Sequence, residues 1–204
     1  MILRTLSTVL ALLAAPLAQA ADFGPFGLPT APYSADSRIT ADGRAITARI
    51  HADGQRERRE MREGGMEQIM LIDHGTKKAT MLVVEQKVAM EVDMAAAGDP
   101  MSATNWKTRE LGREQLGGHA VTRHHIDGQG EDGARVVGEV WLTKEKIPLK
   151  SALEVTEEGQ TVRVVQELSN LRVGPVDAKL FEVPAGYQRM AMPAGMAAPP
   201  SGRQ

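Results

Sequence analysis

The sequence has no cysteine, and this absence excludes several kinds of chemistry at once. Disulfide bonds, a thiol nucleophile and a zinc–thiolate site all require the cysteine sulfur. Aromatic residues make up only 3% of the chain, which is low for a β-rich protein. The core must therefore be built from Val, Ile, Leu, Ala and Met, and Met alone occurs 11 times.

The chain also lacks a strong excess of either charge, because its formal net charge is only −2 over 204 residues. A nearly neutral chain has no general electrostatic attraction to nucleic acid or to an anionic membrane surface, so we predict neither as a partner. A Gly-x-Ser-x-Gly elbow, a phosphate-binding loop and a dinucleotide fingerprint are absent too. We predict that the protein is not an enzyme, has no catalytic residues and needs no cofactor.

The first twenty residues have the pattern of an export signal. Arg4 precedes an apolar stretch over residues 6–17, and Ala-Gln-Ala at 18–20 is a small-x-small cleavage site. The apolar stretch is too short for a membrane anchor, and no cysteine follows it to carry a lipid. We expect a periplasmic mature chain that is not lipidated and has no transmembrane segment.

Short runs of alternating apolar and polar residues follow one another from 33 to 183. In the run Ile147 to Val155, apolar side chains recur at nearly every second position, which is the period of a strand buried on one face. Turn dipeptides such as Asp42-Gly43 and Asp53-Gly54 separate the runs. We predict a mainly β fold with few short helices, in which the antiparallel sheet is either curved or sandwiched.

Composition divides the chain into four parts. Residues 1–20 are the signal, and residues 21–32 are an irregular arm rich in Pro and Gly. Residues 33–187 form the β domain. Residues 188–204 are dominated by Ala, Pro, Gly and Met, and we expect this tail to be disordered.

Three segments depart from the alternating pattern. The run Gln55 to Arg62 carries arginine on both faces, which is typical of an edge strand or a ladder of cross-strand ion pairs, and we predict that it is exposed to solvent. A basic strip for an acidic partner is the alternative. Ala95 to Asn105 is unpatterned and indicates a long loop, and Asp177 to Phe181 can form one helical turn.

Histidine is the first candidate metal ligand. His124 and His125 are adjacent, so in a strand their side chains point to opposite faces and cannot hold one ion together. His119 is also on the opposite face from His124. We interpret all three as polar strand residues and predict no metal site.

Methionine recurs both in the strands and in the tail. Met81 and Met90 lie in facing hairpin runs, where flexible thioethers either line an adaptable apolar cavity or simply fill the core. In the tail, Met190, Met192 and Met196 resemble methionine clusters that bind soft metals. The low-complexity composition of the tail explains them better, so copper handling by methionine is the weakest of our functional hypotheses.

Motifs in the second half carry a resemblance to a known family. The segment 138–143, Gly-Glu-Val-Trp-Leu-Thr, followed by Ile-Pro-Leu-Lys at 147–150, resembles paired strands of the periplasmic lipoprotein carriers of the LolA/LolB type. The ending 180–187 resembles a strand terminus of that superfamily and of the related regulator RseB. The stretch 110–119 is similar to a hairpin of exported proteins grouped near these carriers. The similarity covers 33–187.

The resemblance implies a mainly β fold with a strongly curved antiparallel sheet, a LolA-like half-barrel whose concave apolar face can hold acyl chains, in a family without catalytic residues. The carriers cover that face with helices, whereas this chain has a Pro/Gly arm where they begin with an amphipathic helix. We predict a soluble periplasmic binding protein for a lipid or other apolar small molecule. The side chains predicted to line the concave face are those of Ile69, Leu71, Met81, Met90, Val140, Leu142, Leu149, Leu153 and Val164.

The main alternative is an envelope protein-interaction or stress-sensing module similar to RseB, with another envelope protein as its partner. Exposed strand edges and the arginine-rich run would supply its contacts. A large apolar cavity would favour lipid binding, and a core filled by the protein's own side chains would favour the interaction module.

Overall fold

The computed structural model describes residues 24–63, 66–93, 105–129, 134–157 and 159–191, which form one twelve-stranded sheet and two short 3-10 helices. The predicted export signal and nearly all of the predicted loop 95–105 lie outside these residues. The helices are Gly24–Phe26 and Ala178–Phe181. The strands are β1 Tyr33–Ala41, β2 Arg44–Ala52, β3 Arg56–Glu63, β4 Met66–Asp73, β5 Lys78–Val83, β6 Val88–Asp93, β7 Lys107–Leu116, β8 His119–Gln129, β9 Arg135–Leu142, β10 Pro148–Glu157, β11 Gln160–Val173 and β12 Gln188–Ala191.

The strand order across the sheet is β12-β6-β5-β4-β3-β2-β1-β11-β10-β9-β8-β7. Strands β2 to β6 form one meander and β7 to β11 form another, and the pairing of β1 with β11 joins them. All neighbours are antiparallel except β12, which runs parallel to β6. The described sheet is curved and not closed, and it has few helical residues, so the predicted fold class is confirmed.

Cross-strand register assigns each side chain to one of two faces, because directly opposed residues share a face. We call the face that carries Tyr33, Ile50, Met70 and Leu153 the inner face, and the other the outer face. The alternation predicted for Ile147 to Val155 is borne out: Leu149, Ser151 and Leu153 are buried in β10. Most of the buried side chains lie on the inner face.

Strand β3 is not the exposed strand that the arginine-rich run predicts, and this prediction was wrong. It lies between β2 and β4, and its inner-face residues Glu57 and Arg59 are only 0% and 1% exposed. They form an ion pair with each other. Either charge alone would be too costly to bury, but the two can be buried together as a pair. Arg56 and Arg58, on the outer face, keep partial contact with solvent.

The segment after β11 returns to cover part of the outer face. Asp177 caps the predicted helical turn by accepting a hydrogen bond from the Lys179 backbone N–H at 3.0 Å. Val183 and Tyr187 then pack on an outer-face cluster of β4 to β6. Its buried members are Ile69, Leu71, Leu82 and Ala89.

The predicted disorder of the tail is wrong for its first four residues. Gln188–Ala191 forms β12, and the Gln188 N–H donates to the Lys87 carbonyl oxygen at 2.7 Å. Val183 and Tyr187 pack on the sheet and so place residues 188–191 beside the edge of β6. There they form backbone pairs with β6, although their composition alone predicts disorder. Residues 192–204 lie outside the described part of the chain.

Replacing Val183 with aspartate should release this C-terminal segment from the outer face. A carboxylate placed against this apolar cluster loses both its hydration and the packing of the valine side chain, and we expect the free energy of unfolding to fall by about 2 kcal/mol. Limited proteolysis, read by mass spectrometry, should then show cleavage within residues 174–191. Glu182→Ala, an exposed neighbour, serves as the control, and equal protection in both variants would contradict the packing role of Val183.

Candidate ligand-binding face

Two aromatic side chains from outside the sheet's interior strands lie on the inner face of β8 to β10. Phe26, from the first 3-10 helix, and Trp106, just before β7, pack on a buried apolar cluster. The Phe26 and His124 rings are 4.8 Å apart between centroids. The cluster beneath them consists of Ile126, Val136, Val140, Leu142 and Leu153.

Glycine makes room for the Trp106 ring on two sides. A Cβ at Gly128 in β8 would overlap the ring, and one at Gly24 would lie 2.6 Å from Cζ2 of Trp106. Gly24 also has a φ of +49°, a conformation that other residues rarely adopt. The indole is therefore held between a strand backbone and the arm by two positions that must stay small.

The arm is also attached to the body of the protein at Thr30. The Thr30 N–H donates to the Glu145 carbonyl oxygen at 2.9 Å, in the connection between β9 and β10. Between this point and Phe26, Gly27 also has a positive φ of +67°. None of the strand pairings of the described sheet involves this arm, because β1 begins only at Tyr33.

The residues predicted to line the concave face divide between the two faces. Five of them are buried on the inner face of β9 to β11: Val140, Leu142, Leu149, Leu153 and Val164. Met81 and Met90 also lie on the inner face, in β5 and β6, where they are half-buried. Whether any of them contacts a ligand stays a prediction.

Ile69 and Leu71 lie on the outer face, under the C-terminal segment, and not with the other seven. Register decides this, since Met70 opposes Met81 and its neighbours must point the other way. Strand β4 is apolar at four successive buried positions, so its sequence contains no alternation that could indicate the correct face.

A buried polar cluster on the inner face was missed by the sequence analysis. It consists of the Glu57–Arg59 ion pair, the Tyr33 ring and the His74 imidazole, whose Nε2 lies 3.9 Å from Oε2 of Glu57. Burial is the largest influence on the Glu57 carboxyl and opposes its ionisation, but Arg59 and His74 outweigh it and lower the pKa of Glu57. Burial, and then the nearby Glu57 charge, raise the pKa of Tyr33.

Other polar atoms on the inner face lie among apolar neighbours. Gln166 in β11 and Ser37 in β1 are both nearly fully buried, and Gln166 Nε2 and Ser37 Oγ have no hydrogen-bond partner in the part of the chain that the structure describes. The inner face is thus mainly apolar with a few hydrogen-bonding groups, a lining that suits an amphiphilic ligand.

Histidine does not form a metal site in the described residues. His124 opposes Val140 on the inner face and His125 opposes Glu139 on the outer face, as adjacent strand residues must. Among the described residues, no group of three or more His, Cys, Asp or Glu side chains is placed to hold a metal ion. Within the same ranges, no helix has the length and apolar character needed to cross a membrane.

The second tryptophan, Trp141, lies on the outer side of β9 and also packs against a buried apolar cluster that includes Tyr33 and Leu149. It lies between two cations, with the Arg123 guanidinium 5.2 Å and the Lys150 ammonium 5.6 Å from its ring centre. Its indole N–H donates to Glu114 Oε1 at 2.6 Å. The two tryptophans of the chain therefore pack on two different apolar clusters.

Comparison with known families gives the chain a classification without a function. The family model described as a domain of unknown function, DUF4412, matches residues 38–150, more than half of the chain, and the protein belongs to this family. The match runs from within β1 to the start of β10 and so includes most of the sheet. A comparison of the sequence with curated proteins finds no significant match.

Solved structures confirm the fold. An uncharacterized conserved protein from Thermus thermophilus matches with a TM-score of 0.52 at 14% identity, over 91% of this chain and 99% of that one. The LolA superfamily protein NE2245 from Nitrosomonas europaea matches with a TM-score of 0.40 at 9% identity, over 79% and 94%. MucB matches with a TM-score of 0.40 at 19% identity, over 85% and 62%. The matches include a LolA superfamily protein and MucB, as the resemblance predicts, and at these identities a match concerns the fold alone.

Proposed function

We propose that this protein is a non-enzymatic binding protein of the cell envelope that holds the acyl chain of a lipid, or a similar apolar ligand, on its inner face. The observation that carries the proposal is the cover over β8 to β10, where Phe26 and Trp106 lie on the apolar cluster and both come from segments preceding a strand. The export pattern at residues 1–20 supports the envelope as its location.

Replacing one of the covering aromatic rings with an acyl chain is nearly neutral in free energy. A Phe or Trp side chain buries about 150–250 Å², which corresponds to about 4–6 kcal/mol at about 25 cal/mol per Å². An acyl chain that replaces one ring on the same cluster regains a comparable amount. Ligand entry therefore requires movement of the arm but no net loss of buried apolar surface.

The two tryptophans allow a direct test with a heavy-atom quencher. In Trp141→Phe the only indole is Trp106 on the inner face, and in Trp106→Phe it is Trp141 on the outer face. We expect stearic acid brominated at mid-chain to quench the emission of Trp141→Phe and to leave that of Trp106→Phe unchanged, because bromine quenches only at contact. Unbrominated stearic acid is the control for indirect effects.

Two outcomes would contradict the proposal. One is unquenched Trp106 emission in a delipidated Trp141→Phe variant whose circular dichroism matches the wild type. The other is equal quenching of both variants, which would indicate non-specific adsorption. A charged substitution in the cluster, Leu153→Glu, should remove the quenching, and the outer-face substitution Glu154→Gln on the same strand should keep it.

The envelope interaction module is the second candidate, and one observation favours it. Val140 and Leu153 are buried by the protein's own side chains, which fill part of the core. The charged residues around Trp141, or the groove of about 570 Å³ lined by three arginines and by Asp36, Glu60 and Glu67, would then supply the contacts. Failure of the quenching experiment would leave this function as the better one.

A further inference from the structure

Four methionines form one continuous row across the inner face at the β12 edge of the described sheet. Met70 in β4 opposes Met81 in β5, Met81 opposes Met90 in β6, and Met90 opposes Met190 in β12. These positions are scattered over more than a hundred residues of sequence, and only the strand register brings them together. No spacing in the sequence predicts this row.

The register places the four thioethers close to one another. Directly opposed residues in neighbouring strands have Cβ atoms about 4.5–5.5 Å apart, and the methionine sulfur lies two bonds beyond Cβ on a flexible chain. Sulfur atoms from three successive strands can therefore converge on one point between them. Exposure rises along the row, from 7% at Met70 to 45% at Met190, so its outer end is open to solvent.

The surroundings of the row select the kind of ion. Beside the outer methionines, the neighbouring inner-face residues are Val83, Val88 and Gln188 on one side and Ala79 on the other, and these residues provide no carboxylate. Calcium and magnesium require several oxygen ligands, and these neighbouring residues offer only the amide oxygen of Gln188. Thioethers are soft, neutral ligands that select cuprous copper over harder ions.

The charges near the row favour metal binding at its outer end. Arg59 opposes Met70 at the inner end, where its guanidinium and the paired Glu57 are buried. The positive charge of that guanidinium disfavours a bound cation beside Met70. Two strands further out, at Met90, this repulsion is weaker because the distance is larger. The outer three methionines are therefore the better ligand set.

We propose that Met81, Met90 and Met190 form a binding site for a soft monovalent metal ion, cuprous copper or its analogue silver. The site is independent of the acyl-chain face under Phe26 and Trp106, which lies on the other half of the sheet. An exported chain without cysteine has the thioether as its soft ligand, and thioethers do not form disulfide bonds in an oxidising compartment.

The test uses the mature chain with methionine methyl groups labelled with carbon-13, titrated with silver nitrate in chloride-free buffer. We expect the methyl signals of Met81, Met90 and Met190 to shift together at one equivalent of silver. Met66 is 48% exposed on the same face but lies outside the row, and its signal should not move. Anaerobic competition with bicinchoninate then measures the affinity for cuprous copper.

Single methionine-to-leucine variants distinguish a thioether site from non-specific metal binding, because leucine keeps the apolar volume and removes the sulfur. Met90→Leu should weaken copper binding by about tenfold or more, and the matched control Met66→Leu should leave it unchanged. Quenching by brominated stearic acid should persist in Met90→Leu, so failure of one proposal can be told from failure of the other. Absence of binding by the wild type, or binding that Met81→Leu and Met90→Leu leave intact, would overturn the metal site.

Discussion

Replacing Gly138 with alanine is expected to lower the free energy of unfolding by about 3 kcal/mol or more. Gly138 lies in β9 opposite Leu153, where β10 comes unusually close. An added Cβ would overlap the Ala152 carbonyl oxygen and lie 2.8 Å from the Leu153 Cα. Both are backbone atoms, so relief requires the two strands to separate and lose their pairing.

Urea denaturation followed by circular dichroism measures this effect. Gly75→Ala is the matched control, because neither glycine has a positive φ and the Cβ at Gly75 would meet only the ends of the Asp73 and Gln55 side chains, at 3.2 and 3.3 Å. Side-chain ends can rotate away at little cost. A loss in Gly138→Ala no larger than that in Gly75→Ala would show that β9 and β10 can separate without penalty.

Replacing Glu57 with glutamine is the second substitution with a large expected effect. Arg59 would keep its charge at 1% exposure while losing the carboxylate that now pairs with it. Breaking a buried ion pair from one side typically costs about 3–5 kcal/mol. We expect a loss of that size in the free energy of unfolding.

The same strand provides the control. Arg58 and Glu60 form an ion pair with the same two-residue spacing on the outer face, at 2.6 Å, with 12% and 31% of their side chains exposed. Exposed pairs are worth about 0–1 kcal/mol, so Glu60→Gln should have a small effect. The double substitution Glu57→Leu with Arg59→Leu should recover most of the stability lost in Glu57→Gln. Equal effects of Glu57→Gln and Glu60→Gln would contradict the role of burial.

The pH dependence of stability gives a further check on this pair. The pKa of Glu57 is lowered in the folded protein, so its charge stabilises the fold above the ordinary carboxyl pKa of 4.5. That contribution is lost as the pH falls through the lowered value. The difference in unfolding free energy between the wild type and Glu57→Gln should therefore shrink as the pH falls below 4.5.

Alternation in the sequence was sufficient to predict strands whose two faces differ in polarity. The run Ile147 to Val155 is an example, because Lys150 and Glu154 separate its apolar positions. Turn dipeptides added the connections, since Asp42 and Gly43 both adopt the positive φ values of a tight hairpin turn. Together these two patterns account for the predicted antiparallel sheet, whereas its strong curvature was predicted from the family resemblance.

Side-chain placement could not be predicted where a strand has similar residues on both faces. Ile69 and Leu71 were predicted to share a face with Met81, but β4 is apolar at four successive positions, and only its register with β5 decides which residues point inward. Strand β3 failed for the opposite reason. Its charges indicate exposure until the partner of Glu57 is known to be Arg59, two positions along the same strand.

The candidate site depends on contacts that no local pattern contains. Trp106 packs on Gly128, which is more than twenty residues away in sequence, and nothing in the local sequence around the glycine indicates this contact. The methionine row is likewise assembled from four strands. Such contacts exist only once the topology is fixed, so residue type and spacing alone do not indicate them.

The pairing of β1 with β11 also determines the order in which the chain can fold. The two meanders contain mainly neighbouring strands and can form early, whereas β1 must find a partner on the order of 130 residues away. During synthesis the chain emerges with β1 first and β11 near the end. Until synthesis is almost complete, Tyr33 and Ile39 have no second neighbouring strand and leave apolar surface open to other chains. The pairing of β1 with β11 is thus the folding step before which a holding chaperone would have most apolar surface to protect.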